Sequence, residues 1–281
     1  MRCNKLFSKE QSEFIHDYAN VLGVKVSAIN MKLAINIADR WIHQEKPNYI
    51  CVTGVHGIME AKYHPELRHI LNSALVNAPD GMPMSWVGHL QGHSEMDRVF
   101  GPDFMMAMCQ LSAERGYRNF FYGGKPGVAK ELGETLTRRF PNLQVVGTFT
   151  PPFRDLVPKE EEELMVQLQQ SRPHILWVGL STPKQEIFMA QYVNRFQISL
   201  LIGVGAAFDY HTGRIQDCSD WIKRAGLQWF HRLLQDPRHL WQRYLKNNPA
   251  FLWNIAFQIF GLRRYPIDLE NTVKLQRRTV I

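Results

Sequence analysis

Cysteine is scarce and unpatterned. The four cysteines, Cys3, Cys51, Cys109 and Cys218, form no C-x-x-C pair. That spacing argues against a zinc knuckle and against a small disulfide-stapled scaffold. Reduced thiols are expected, with Cys51 and Cys109 as inert residues in apolar surroundings. Long hydrophobic runs are also missing. The densest, AFLWNIAFQIFGL (250–262), is interrupted by Asn254 and Gln258. It falls short of the ~20 apolar residues that a spanning helix needs. The first residues, MRCNKLFSKEQSEF, lack the apolar core of a signal peptide. These absences predict a cytoplasmic protein that is neither exported nor threaded through a membrane. Low-complexity tracts and fixed-period repeats are absent too, which excludes solenoids and propellers.

What is present suits an ordinary core. Of 281 residues, 45% are hydrophobic and 21% charged, enough for one large domain or two smaller ones. The net charge of +7 is unevenly placed. Residues 1–213 carry 21 basic and 21 acidic side chains, whereas residues 214–281 carry 12 basic and 5 acidic. The whole surplus lies in the last quarter of the chain, which suggests an anionic partner for that segment. A solvated basic helix face is the simpler alternative.

Apolar runs alternate with helical patterns. YICVTGV (49–55), NFFYGG (119–124), LQVVGTF (143–149), HILWVGL (174–180) and SLLIGVGAAF (199–208) read as strands, LVNAP as a short one, and VLGVKVSAI (21–29) as another. Asn30 is placed to cap the helix MKLAINIADRWIHQ. Nearly continuous apolar strands separated by helices predict a sheet buried on both faces and therefore parallel. The expected class is α/β, a doubly wound, mostly parallel sheet with a Rossmann-like core. After Asp209 the pattern becomes helical. WIKRAGLQWFHRLLQ, DPRHLWQRYLKNNP and AFLWNIAFQIFG predict three helices broken at Asp-Pro and Asn-Asn-Pro. A boundary near 210–220 would divide a core, 1–213, from a basic, aromatic helical appendage, 214–281.

Ligands of open parallel sheets bind beyond the carboxyl ends of the strands. Here those ends carry Thr53 to Gly57, Gly123, Gly124 and Gly127, Gly179 with Lys184 and Gln185, and Gly205 with Asp209. Glycines at several such ends, followed by helix starts with free N–H groups, favour a phosphate-bearing ligand. The sequence YGGKPG matches neither a Walker loop nor G-x-G-x-x-G. That weakens an ATPase or a nucleotide-binding oxidoreductase, although the latter, or a regulatory nucleotide-binding domain, remains the alternative. Asp80, in NAPDGMP, stands after a short strand, where a carboxylate could take a proton from a substrate hydroxyl or simply cap a turn. His89 and His93 have metal-chelating spacing but no evident third ligand, and surface or packing histidines are expected.

The blocks APDGMP, DRVFGPDFM, FFYGGKPGVA, FPNLQVVGTFTPPF, VGLSTPKQE and IGVGAAFDYHTG occur in one order. Over residues 45–247 the chain resembles the WecG/TagA/CpsF family of bacterial glycosyltransferases. The resemblance implies transfer of a sugar from a UDP-sugar (N-acetylmannosamine, its uronic acid, or another hexose) to a polyprenyl-diphosphate-linked saccharide in surface polysaccharide synthesis. It implies inversion at the anomeric carbon and no metal or other cofactor. Carried onto this chain, it makes Asp80 the general base and gives site roles to Thr53, Arg98, Gln185 and Asp209. Many members read T-x-N after the first strand; this chain reads Thr53-Gly54-Val55-His56-Gly57, with His56 in place of the asparagine.

The resemblance further implies that the C-terminal appendage rests on the inner face of the plasma membrane and brings arginines to the diphosphate. Arg224, Arg232, Arg238 and Arg243 stand there among Trp221, Trp229, Phe230, Trp241 and Tyr244. The charge surplus and the interleaved aromatics independently suit an anionic lipid surface. Arg224 and Arg232 are the expected leaving-group cations. Nucleic acid is a poorer partner, because the apolar stretch 250–262 fits a lipid interface better than a base stack. A homo-oligomer is compatible with the sequence.

Overall fold

The computed structural model describes residues 16–44 and 46–267. The chain enters as an antiparallel hairpin, β1 (Tyr18–Val21) and β2 (Val24–Ser27). The stretch VLGVKVSAI, expected as one strand, is split by this turn. Leu22 and Gly23 both take positive φ, 52° and 87°, the two-residue geometry whose twist matches a hairpin. Asn30 caps α1 (Met31–Ile42) as expected, its side chain accepting from the Leu33 amide at 3.1 Å.

The main sheet contains β3 (Asn48–Thr53), β4 (Val76–Pro79), β5 (Arg118–Gly123), β6 (Gln144–Phe149), β7 (Ile175–Gly179) and β8 (Leu200–Gly203). Their spatial order is β4-β3-β8-β7-β5-β6, and every pairing is parallel. Successive side chains of a strand point to opposite faces, and here both faces are buried. Ile175 and Trp177 join one core cluster, while Leu176 and Val178 join the other. This is the α/β class expected from unbroken apolar strands.

Helices cover both faces. Between β3 and β4 lie α2 (Val55–Tyr63) and α3 (Pro65–Ser73). Between β4 and β5 lie α4 (Met82–Leu90) and α5 (Gly101–Arg115); α6 (Val128–Arg139) and α7 (Pro158–Ser171) flank β6. Then α8 (Lys184–Tyr192) follows β7, and α9 (Ala207–His211) follows β8. Two expected strands were too long. YICVTGV gives up its last two residues to the start of α2, and SLLIGVGAAF ends at Gly203 because the chain turns there into α9.

The remainder is helical and breaks at Asp236-Pro237 as expected, but its other boundaries differ. WIKRAGLQWFHRLLQ forms two short helices, α10 (Asp220–Arg224) and α11 (Gln228–Gln235). Gly226 separates them at φ 72°, and a Cβ there would lie 2.7 Å from the Trp86 ring. The Asn-Asn-Pro break does not form. α12 runs unbroken from Pro237 to Ile259 with Pro249 inside it. A proline within a helix forfeits one hydrogen bond and crowds the preceding turn. Buried neighbours on both sides, Asn247 and Phe251, hold the helix through it. Phe251 and Ile255 share a core cluster with Ile58 and Met59 of α2. Among the described residues no helix is long and apolar enough to cross a membrane.

Candidate active site

The carboxyl ends of β3, β4, β7 and β8 open into a cleft of about 610 Å³, and α10, α11 and α12 form its opposite wall. Of the expected site residues, His56, Asp80, Gly179, Gln185, Gly205, Asp209 and Arg232 line it.

Asp80 follows β4 directly, its amide donating to the Thr53 carbonyl at 3.0 Å. Gly54 makes room for it. A Cβ at Gly54 would come within 3.1 Å of the Asp80 carbonyl and 3.7 Å of Oδ2. Burial pushes the Asp80 carboxyl above the usual carboxylate range. The charges of Arg98 and Arg243 pull the other way, and Asp103 adds to the rise. A carboxylate destabilised in this way is a stronger proton acceptor.

His56 is fixed by the far end of the chain. The Asn247 side-chain amide donates to its Nδ1 at 3.0 Å, and the ring also bonds to the Thr182 backbone. Burial, aided by the Arg243 charge, lowers its pKa to about 4, so the ring is neutral at physiological pH. An asparagine amide therefore does reach this corner, supplied by α12 instead of by the loop after β3. Thr53 lies just beneath, buried, with its hydroxyl unpartnered. Its methyl would stand 2.8 Å from a Cβ at Gly57.

The VGLSTPKQE segment divides by direction. Lys184 points outward, donating to the Phe153 carbonyl at 3.4 Å. Gln185 is 2% exposed, and its amide is engaged within the protein. Its Oε1 accepts from the Gly205 amide at 3.0 Å, and its Nε2 donates to Glu186 Oε1 at 2.9 Å. Thr182 Oγ1 donates to the same Glu186 oxygen at 2.9 Å. Glu186 is itself buried, which raises its pKa despite these donors. Gln185 thus ties the loops after β7 and β8 together.

Gly123, Gly124 and Gly127 do not reach the cleft lining. The Gly124 amide donates to the Gly179 carbonyl at 3.0 Å, and a Cβ at Gly123 would lie 2.4 Å from that oxygen. These two glycines serve close packing of β5 against β7. Gly127, at φ 86°, faces open space before α6. Arg98 also stands behind the lining, donating to Gln228 Oε1, with its guanidinium 4.2 Å from the centre of the Phe100 ring. Arg224 is exposed and outside the cleft. Arg243 lines it instead, close enough for its charge to act on Asp80, His56 and Glu186. Lys223 and Tyr244 line it as well. Which face of a basic helix turns inward depends on its register against α2, and one sequence does not reveal that register. His89 proves to be a surface residue, donating to the Met96 carbonyl at 2.7 Å. No three His, Cys, Asp or Glu side chains among the described residues converge as a metal site would require.

Comparison with known proteins settles the family. The model of the glycosyl transferase WecG/TagA/CpsF family matches residues 19–265. The chain belongs to the WecG/TagA/CpsF family. It is a glycosyltransferase, and the oxidoreductase and regulatory alternatives fall with that assignment. Its similar relatives include the N-acetylglucosaminyldiphosphoundecaprenol N-acetyl-beta-D-mannosaminyltransferase of Bacillus spizizenii, 28% identical over 205 residues. That match covers 73% of this chain and 77% of the relative. A protein of the same name from Bacillus subtilis (strain 168) is 27% identical over 176 residues, covering 63% of this chain and 66% of its own length. In this WecG/TagA/CpsF glycosyltransferase the match extends past the basic helices through residue 265, so they are part of what the family shares.

Proposed function

We propose that the enzyme transfers an N-acetylmannosamine-type sugar from a UDP-sugar to a polyprenyl-diphosphate-linked saccharide, with inversion. The observation that carries this reading is a cleft with a proton-accepting carboxylate, Asp80, on one wall and two arginines, Arg232 and Arg243, on the other. The relatives' names supply the sugar and the lipid-linked acceptor. Asp80 takes the proton from the acceptor hydroxyl as the oxygen attacks the anomeric carbon. The bond to the nucleotide breaks on the opposite face, and the nucleoside diphosphate leaves as an anion. Arg232 and Arg243 stabilise that charge, a role for fixed cations placed where charge develops. No metal is assigned to this step.

The acceptor's lipid would reach the cleft from an anionic membrane surface on the cytoplasmic side. Exposed Trp241, Trp253, Phe260 and Leu262 beside Arg263 and Arg264 suit such a surface. The direct test is UDP release from UDP-N-acetylmannosamine with a short-chain polyprenyl-diphosphate N-acetylglucosamine acceptor, compared with other UDP- and GDP-sugars. Release only on addition of acceptor, and its loss in Asp80→Asn, are expected. Turnover by Asp80→Asn near the wild-type rate would refute the base assignment.

A further inference from the structure

The short helix α11 poses a physical problem. It carries Arg232 to the cleft, yet none of its eight residues is buried. Apolar packing on it is limited to a half-buried inner face, where the Trp229 ring meets Tyr244 of α12 at 5.7 Å between centroids. Polar contacts at its two ends add to that packing. At the first residue, Gln228 Oε1 accepts from Arg98 Nη2, across 130 positions of sequence. At the last, Gln235 makes a reciprocal pair with the backbone of Gln216: the Gln216 amide donates to Oε1 at 3.0 Å, and Nε2 donates to the Gln216 carbonyl at 2.8 Å.

Gln228 and Arg232 are four residues apart, so they share one face of α11. Fixing the first fixes the rotation of the second. An aromatic track runs parallel to this tie. The Arg98 guanidinium lies over Phe100, Phe100 meets Tyr210 edge to face with centroids 5.3 Å apart, and Arg232 lies 5.4 Å from the centre of the Tyr210 ring. Arg98 itself is absent from the cleft lining, so its route to the reaction runs through these contacts and through its charge on Asp80.

We infer that Arg98–Gln228 and Gln216–Gln235 are two clamps that seat α11, making Arg98, Gln228 and Gln235 positioning residues for Arg232. This inference rests on the proposed role of Arg232 at the leaving group. A catalytic group displaced by about an ångström can lose up to about a hundredfold in rate. The test measures kcat, donor KM and thermal midpoint for Gln228→Leu, Gln235→Leu and Arg232→Ala, and for each Leu variant combined with Arg232→Ala. Expected are kcat losses of about tenfold or more for each Leu variant, little change in donor KM, and, for the exposed Gln235, an unchanged midpoint. In the Arg232→Ala background the Leu substitutions should cost nothing further, because the group they position is gone. Full activity in both Leu variants, or losses that multiply with that of Arg232→Ala, would overturn the clamps. Full activity in Arg232→Ala would instead overturn the leaving-group role on which they rest. Gln235 is exposed and its Leu variant folds in any case, so the test does not depend on Gln228→Leu folding.

Discussion

Replacing Gln185 with alanine separates a ligand contact from a framework residue. The side chain is 2% exposed and joins Gly205 N to Glu186. Truncation leaves the Gly205 N–H without its acceptor, which costs about 1–3 kcal/mol. Loss of the buried methylene adds about 1 kcal/mol. Together Gln185→Ala should destabilise the fold by about 2–4 kcal/mol, or about 3–7 °C in midpoint for a chain of this size. The assay is a thermal melt without substrates, set beside the donor KM. Lys184→Ala is the control, since an exposed lysine should move the midpoint very little. A Gln185→Ala enzyme that melts like wild type but shows a raised donor KM would refute the framework role and make Gln185 a ligand contact after all.

Burial raises the Asp80 pKa, so the folded state binds the proton more tightly than the unfolded state does. The resulting destabilisation grows as pH rises from the unfolded value near ~3.9 and levels off above the folded value. Asp80→Asn should therefore abolish turnover yet melt at a higher temperature than wild type at pH 7–8, and equal midpoints would contradict the raised pKa. His56 behaves in the opposite sense. With a folded pKa of about 4, it contributes stability that is present above ~6.5 and lost as pH falls toward 4, and His56→Gln should flatten that part of the midpoint-against-pH curve. Arg243→Ala should lower kcat by about a hundredfold, as loss of one charge-stabilising donor does elsewhere, while Arg224→Ala should stay near wild type. Steady-state rates of the two variants decide between them. UDP release should continue in excess EDTA, and a loss restored by Mg²⁺ or Mn²⁺ would assign the leaving-group charge to a metal.

The core was legible because burial on both faces leaves a strong mark. Strands such as HILWVGL carry no polar alternation, and parallel pairing follows from that alone. The general position of the cleft was legible for the same reason, since four strand ends carried its glycines and Asp80. The fine assignment was not. Gly123 and Gly124 look like a phosphate loop in sequence, yet they serve the close approach of β5 to β7. Gln185 reads as a ligand contact until its hydrogen bonds to Gly205 and Glu186 are known. The helices after Asp209 were mispunctuated in both directions. Gly226 breaks a run that seemed continuous, because its positive φ and the Trp86 ring leave no space for a Cβ. Pro249 fails to break one, because Asn247 and Phe251 are buried on either side of it. Local propensity decides such points only where tertiary packing is silent.

The two halves of the proposed chemistry make opposite physical demands. A carboxylate base gains strength from burial, and Asp80 stands at the end of a strand in a sheet buried on both faces. Cations meant for a departing nucleoside diphosphate must stay open to a bulky donor and a membrane-borne acceptor, and burial would close that path. Arg232 is carried by a helix with no buried residue, and Arg243 by a helix that anchors elsewhere through Leu240, Phe251 and Ile255. The charge surplus of residues 214–281 is the sequence trace of this arrangement. A helix left only half-buried for access needs a further means of holding its rotation. Side-chain hydrogen bonds at its two ends provide one without covering the apolar face that α11 shows to solvent at Phe230 and Leu234.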